Sequence, residues 1–287
     1  MTRPFITPSN LFDRYEQKNG KLNPHDFGQN KHAQDSTVEK IAMYVFNTYK
    51  PALTALHFLS MDHTQHAFGR DGKEVRESLS IVDRLIGQIF RDLKASGMDK
   101  NTTVIITGDH GFVNTLSGFS PNVLLAQHGL IQGKTWKAKF NSAGGSEFLY
   151  VKNNDKNVLA QVIGILESLP ADQRKLFRII SRAQMDSVGA NADAMMALAL
   201  NKGIKGTNKI AGPLVQSIGK GGNHGSFPDF QEIQTGFIAI GPGVSARQVI
   251  SQMRVVDIAP VIAALLKVDF QAPDGKLIEG IVQNSVH

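Results

Sequence analysis

The sequence predicts an α/β fold on the strength of two observations. Two short apolar runs, residues 53–59 and 103–107, each have the length and composition of a buried strand. Between them, residues 73–96 repeat apolar side chains at intervals of three and four, which indicates a long amphipathic helix. A strand, a helix and a second strand in this order predict a βαβ unit with two parallel strands.

The chain before this unit differs in character from the chain after it. The first 35 residues are polar and show no periodicity, so we expect an irregular stretch over residues 1–35 and an α/β domain over residues 36–287. Ser36 and Glu39 have the spacing of a capping box, which predicts the start of the first helix of that domain.

Residues 113–222 are less regular, and we expect them to form an insertion, or cap, on the active-site side of the domain. Within and after this region, the pattern predicts a strand at 147–151, helices at 157–169 and 192–200, a strand at 235–240 and a helix at 256–266.

Composition restricts the class of protein. Of the 287 residues, 41% are hydrophobic and none is cysteine, which excludes disulfides, thiolate nucleophiles and cysteine-based zinc sites. The formal net charge is +6, but no motif for nucleic-acid binding accompanies it. The densest basic segment, residues 202–220, contains four lysines and no acidic residue. We expect a solvated loop there, with a cationic rim that attracts anionic substrates as the alternative.

The sequence as given contains no recognisable signal for membrane insertion or export. No run of about 18 apolar residues is present, so we expect no membrane span. The N-terminal residues lack the apolar core of a signal peptide. Export would therefore require a signal upstream of this sequence, and the compartment stays open.

Polar side chains that could bind a metal follow both predicted strands. Asp62 and His66 follow the first strand, and on a helical turn their spacing places both side chains on one face. Asp109 and His110 follow the second strand directly, and His224 lies in a glycine-rich loop. Each pair alone is a weak signal, but the carboxyl ends of parallel strands are where ligands bind. Three histidines and two aspartates suit Zn²⁺, and suit Mn²⁺ or Fe²⁺ less well.

The order of these residues carries a family resemblance. Asp62 and His66, then Asp109 and His110, then His224 resemble the metal motifs of the alkaline phosphatase superfamily, and within it the type I phosphodiesterase/nucleotide pyrophosphatase family. The resemblance implies an alkaline-phosphatase-like parallel sheet flanked by helices. It also implies two divalent metal ions, zinc first, bridged by the reacting phosphoryl group. One ion would be bound by Asp62, His66 and His224, and the second by Asp109 and His110 with two further groups.

Those two further groups are an aspartate on the first strand and a threonine or serine nucleophile at a helix start. In the family both lie upstream of the first motif, each in an apolar strand context. Only 61 residues precede Asp62, and no apolar strand pattern lies before Ser36. Thr7 is the least implausible local hydroxyl, but capping and turn formation explain such a residue better. We therefore expect a chain that lacks the N-terminal part of the family fold, with its nucleophile unassigned.

The function that the resemblance implies is metal-dependent hydrolysis of a small-molecule phosphoester, of the phosphodiesterase/nucleotide pyrophosphatase or phosphatase type. One alternative is another enzyme of the superfamily, a sulfatase or a phosphoglycerate mutase. A sulfatase forms its formylglycine from a Cys or Ser in a short motif with Pro and Arg, and the chain has no Cys. The other alternative is a non-catalytic, metal-binding remnant without a nucleophile.

Overall fold

The computed structural model describes residues 6–28 and 30–283. Its helices are α1 (Leu11–Asn19), α2 (Lys31–Tyr49), α3 (Ser60–Phe68), α4 (Lys73–Ala95), α5 (Pro121–Gln127), α6 (Lys156–Glu167), α7 (Ala171–Arg174), α8 (Arg182–Ser187) and α9 (Ile258–Leu266). Its strands are β1 (Val104–Thr107), β2 (Val113–Phe119), β3 (Ile131–Gln132), β4 (Thr135–Trp136), β5 (Ala138–Ser142), β6 (Ser146–Val151), β7 (Phe177–Ile180), β8 (Met196–Leu200), β9 (Gly203–Gly206), β10 (Val215–Asn223) and β11 (Phe237–Ile240). The predicted α/β class is confirmed.

The chain divides into two compact units. Unit 1 comprises Met1–Met61, Glu77–Asp109 and Gly236–His287, and unit 2 comprises Asp62–Arg76 and His110–Thr235. These boundaries follow contacts in space, so each unit is assembled from separate stretches of the chain. The sequence-based division into 1–35 and 36–287 stays a prediction.

Unit 1 contains a two-stranded antiparallel sheet of β1 and β11, in which Val104 lies opposite Ile240. It also anchors the start of α3. The buried carboxylate of Asp35, on α2, accepts hydrogen bonds from the backbone N–H groups of Leu59 at 2.8 Å and Ser60 at 3.0 Å. Asp35 therefore caps the N-terminus of α3 from a distant position in the sequence.

The strand predicted at residues 53–59 is absent, and that prediction is wrong. This segment has no strand assignment, and Leu53 is 57% exposed. The β1 strand instead pairs with β11, and the pairing is antiparallel, so the predicted parallel βαβ unit does not form here. An apolar run signals burial, but a strand also needs a neighbour that takes up its backbone hydrogen bonds.

The prediction that a helix starts at Ser36 is also wrong, because α2 begins five residues earlier at Lys31. The Asn30 side chain accepts a hydrogen bond from the backbone N–H of Ala33 and supplies the N-cap. Within the stretch expected to be irregular, residues 11–19 form α1, which buries Phe12 and Tyr15. The first five residues lie outside the described part of the chain.

Unit 2 contains a four-stranded antiparallel sheet in the order β5-β6-β8-β7 and a three-stranded sheet in the order β10-β2-β9. The pairing of β2 with β9 is parallel. The helix predicted at 192–200 is wrong, because Met196–Leu200 forms β8, with all five side chains buried. Met, Ala and Leu favour a helix by intrinsic propensity, but burial on both faces of a sheet overrides that preference.

In the described part of the chain, no helix combines the length and the hydropathy needed to cross a bilayer.

Candidate metal centre

Helix α3 presents Asp62 and His66 on one face, as their spacing predicts. His66 Nε2 lies 3.5 Å from Asp62 Oδ1. The side chain of His66 is 33% exposed and that of Asp62 is 40% exposed, so solvent reaches both of them. A carboxylate and an imidazole at this distance can act as two ligands of one cation.

Two further histidines approach the same carboxylate oxygen. His224, directly after β10, places Nε2 at 3.9 Å from Asp62 Oδ1, and His110, shortly before β2, places its Nε2 at 3.9 Å as well. One ligand atom from each of Asp62, His66 and His224 lies within 4.8 Å of the other two. In a tetrahedral zinc site with bonds of about 2.0–2.1 Å, ligand atoms are roughly 3.3 Å apart. The three side chains thus need only small rotations to share an ion.

His66 is oriented by the backbone on its far side. Its Nδ1 lies 3.0 Å from the carbonyl oxygen of Gly222, which fits a hydrogen bond donated by Nδ1–H and leaves Nε2 free to face Asp62. Gly222 must be a glycine, because a Cβ there would lie 2.4 Å from the Gln65 carbonyl oxygen. The close approach of β10 to α3 therefore sets the direction of a ligand.

A buried phenyl ring supports all three histidines. Phe112 is 2% exposed, and its ring centroid lies 4.9 Å from that of His66 and 5.4 Å from those of His110 and His224. His110 and His224 also stack on each other, with centroids 3.9 Å apart. Sequence reasoning missed Phe112, although a large apolar residue two positions after His110 is a signal that could have found it.

Asp109 belongs to a different unit from the other four candidates. It is the last residue of the second stretch of unit 1, and its side chain is exposed. The structure brings Asp62, His66, His110 and His224 together within unit 2. The assignment of Asp109 and His110 to a second ion stays a prediction.

Comparisons with known proteins point to one family. A profile described as "Type I phosphodiesterase / nucleotide pyrophosphatase" matches residues 3–222. The venom phosphodiesterase of Macrovipera lebetinus is 21% identical over 227 residues, which cover 76% of this chain and 25% of that protein. Human bis(5'-adenosyl)-triphosphatase ENPP4 is 34% identical over 79 residues, which cover 27% of this chain and 17% of that protein. The chain thus spans about a quarter or less of these relatives.

Solved structures show the same likeness at the level of the fold. Human ectonucleotide pyrophosphatase/phosphodiesterase 5 superposes with a TM-score of 0.67 at 14% identity, and the match covers 89% of this chain and 64% of that one. The murine protein gives a TM-score of 0.65 at 16% identity, over 89% and 63% of the two chains. The chain therefore has the alkaline-phosphatase-like α/β fold of these proteins. The resemblance implies a parallel sheet, whereas among the described strands only β2 and β9 pair in parallel.

Proposed function

The chain belongs to the type I phosphodiesterase/nucleotide pyrophosphatase family, and on that premise we propose that it is a metal-dependent phosphoester hydrolase. The observation that carries the proposal is the cluster of Asp62, His66 and His224, whose ligand atoms lie within 4.8 Å of one another. These are the residues whose order in the sequence resembles the metal motifs of the family.

The donor set fits a divalent ion, zinc first. It combines one carboxylate with two imidazoles, and the ring of His66 is already oriented by the Gly222 carbonyl group. The side chain of Asp62 is 40% exposed, which leaves the site open on one side, as a site that binds substrate requires. We place a second ion beside Asp109 and His110. Two such ions, when bound, stabilise negative charge on the attacking and leaving oxygens of a phosphoryl group.

The substrate class follows from the family and from the names of the relatives, which include a phosphodiesterase and a bis(5'-adenosyl)-triphosphatase. We propose a small phosphodiester or pyrophosphate that contains a nucleotide. We also propose that residues 36–287 form one domain of the family fold, with residues 113–222 as its cap.

The proposal assigns the nucleophile to residues outside this chain. In support, the described residues before Asp62 form helices and irregular segments but no strand, whereas the implied nucleophile lies in an apolar strand context. We therefore expect negligible hydrolysis of p-nitrophenyl phosphate esters by this chain alone. Catalytic residues that act together lose nearly all activity when one of them is missing.

The test is a turnover measurement on the zinc-loaded chain with a metal-stripped control, paired with a zinc titration. Zinc binding with negligible turnover is the expected result. Robust zinc-dependent turnover would contradict the assignment of the nucleophile and would direct attention to Thr7. Failure to bind zinc would overturn the metal-dependent function. Adding a family-like N-terminal segment should restore turnover, and if it does not, the chain is a non-catalytic metal-binding remnant.

A further inference from the structure

A cavity of about 510 Å³ lies beside His224 within unit 2. Three segments line it: residues 142–144 between β5 and β6, residues 205–208 at the end of β9, and residues 223–224 at the end of β10. The cavity therefore shares one residue, His224, with the candidate metal centre. One substrate molecule could therefore place one group at the metal centre and another group in the cavity.

Side chains around the cavity carry hydrogen-bond donors that have no acceptor among the described residues. Lys205 is partly buried and forms no ion pair or side-chain hydrogen bond with any residue that the structure describes, whereas nearby Lys202 pairs with Glu232. Asn208 Oδ1 accepts a hydrogen bond from the backbone N–H of Ser142 at 2.9 Å, which leaves its NH₂ group available. One cation and one amide donor at the cavity call for an anionic acceptor.

One buried carboxyl group lies behind the cavity wall. A Cβ on Gly206 would come within 1.8 Å of Glu147 Oε1, so only a glycine fits between this carboxyl group and the cavity. Burial raises the pKa of Glu147 to about 8, with the nearby Ser142 hydroxyl acting weakly in the opposite direction. At pH 7 Glu147 is therefore protonated, and it does not repel an anion in the cavity.

We propose that this cavity is a subsite for an anionic group of the substrate, such as a phosphoryl group remote from the reacting one, with Lys205 and Asn208 as its binding residues. The proposal rests on the proposed function, since it extends the site beside His224. It corresponds to the second alternative for the basic segment at residues 202–220, a cationic rim that attracts anionic substrates. Lys205 is the member of that segment that lines the cavity, while Lys209 is exposed and lies outside the lining.

Inorganic pyrophosphate is the probe, and the metal-stripped full chain is titrated with it in a calorimeter at fixed ionic strength. We expect saturable binding, weakened at least fivefold by Lys205→Met and by Asn208→Ala. Lys209→Met is the matched control, because it removes the same charge from the same segment, and it should change the dissociation constant less than twofold.

Equal weakening by Lys205→Met and Lys209→Met would overturn the subsite, because the effect would then be general electrostatic attraction. Absence of saturable binding would overturn it as well. A parallel zinc titration separates this proposal from the metal centre. Lys205→Met should bind zinc like the wild type, and a wild type that fails to bind zinc would contradict the proposed function while leaving the pyrophosphate result to decide the subsite.

Discussion

The two units bury their apolar side chains very differently. Both hydrophobic clusters found among the described residues lie in unit 2, where Leu198 of β8 is fully buried. In unit 1, Leu53 is 57% exposed, and the two-stranded sheet leaves Ile238 at 54% and Ile240 at 49%. A two-stranded sheet is only marginally stable without further packing. Unit 1 buries Leu93 and Val261, but the clustered ligands Asp62, His66, His110 and His224 belong to the unit that contains both hydrophobic clusters.

Truncating one leucine in each unit should give the largest difference in unfolding free energy between the units. We expect Leu198→Ala to lower the free energy of unfolding by about 3 kcal/mol, because it removes buried contacts and leaves a cavity. Leu53→Ala should cost roughly 0.5 kcal/mol or less, because the side chain is already in water. Urea unfolding curves of both variants give the comparison. Equal losses would break the distinction between the units.

Two buried carboxyl groups extend the comparison to electrostatics. In unit 1, Asp257 accepts hydrogen bonds from Nη2 and the backbone N–H of Arg254, both at 2.9 Å, and from the Lys276 N–H at 3.0 Å. These contacts, the Arg254 side chain first, lower the pKa of Asp257 to about 2. In unit 2, burial raises the pKa of Glu147 and outweighs the opposite effect of the nearby Ser142 hydroxyl. The two groups therefore have opposite effects on stability as the pH changes.

The pH dependence of unfolding should follow those directions. Folded Glu147 keeps its proton up to about pH 8, whereas the unfolded chain releases it near 4.5, so stability falls as the pH rises through that window. We expect Glu147→Gln to remove roughly 3 kcal/mol of the difference in unfolding free energy between pH 5 and pH 8. A wild-type slope that survives in the Glu147→Gln variant would contradict the assignment.

Asp257 provides the opposite case in unit 1. Its stabilising contribution is complete above its ordinary pKa of 3.8 and is lost as the pH falls towards 2. Asp257→Asn should therefore destabilise the protein at pH 7 and should make the loss of stability between pH 4 and pH 2 smaller than in the wild type. A variant as stable as the wild type at pH 7 would show that these hydrogen bonds contribute nothing.

A smaller effect, on zinc affinity, should show whether Phe112 positions the metal ligands or only contributes to packing. Phe112 and Phe119 are both fully buried in unit 2, but Phe112 contacts the three histidines, while Phe119 belongs to the hydrophobic core. We expect Phe112→Leu to weaken zinc binding about tenfold, as loss of a group that orients ligands commonly does. Phe119→Leu should leave zinc affinity unchanged while lowering thermal stability. Equal zinc affinities in the two variants would show that Phe112 does not position the ligands.

Local sequence patterns predicted the elements that local forces determine. The amphipathic repeat gave α4, and the four-residue spacing placed Asp62 and His66 on one face of α3. Three failures depended on partners distant in the sequence, whereas the start of α2 was missed although its Asn30 cap is a local contact. Residues 53–59 lack a neighbouring strand, β8 is a strand because other strands cover a helix-favouring segment, and Phe112 is defined only by three-dimensional contacts. The pattern of one segment does not contain that information.

The central claim is that Asp62, His66 and His224 bind one divalent ion, and zinc titration of His224→Ala tests it most directly. His128→Ala is the matched control, because His128 lies in the same unit with its Nδ1 hydrogen-bonded to the Leu124 carbonyl group. We expect the wild type and His128→Ala to bind zinc equally, and His224→Ala to lose affinity by about 100-fold, because it removes one of three ligands. Zinc binding by His224→Ala at wild-type affinity would contradict the account.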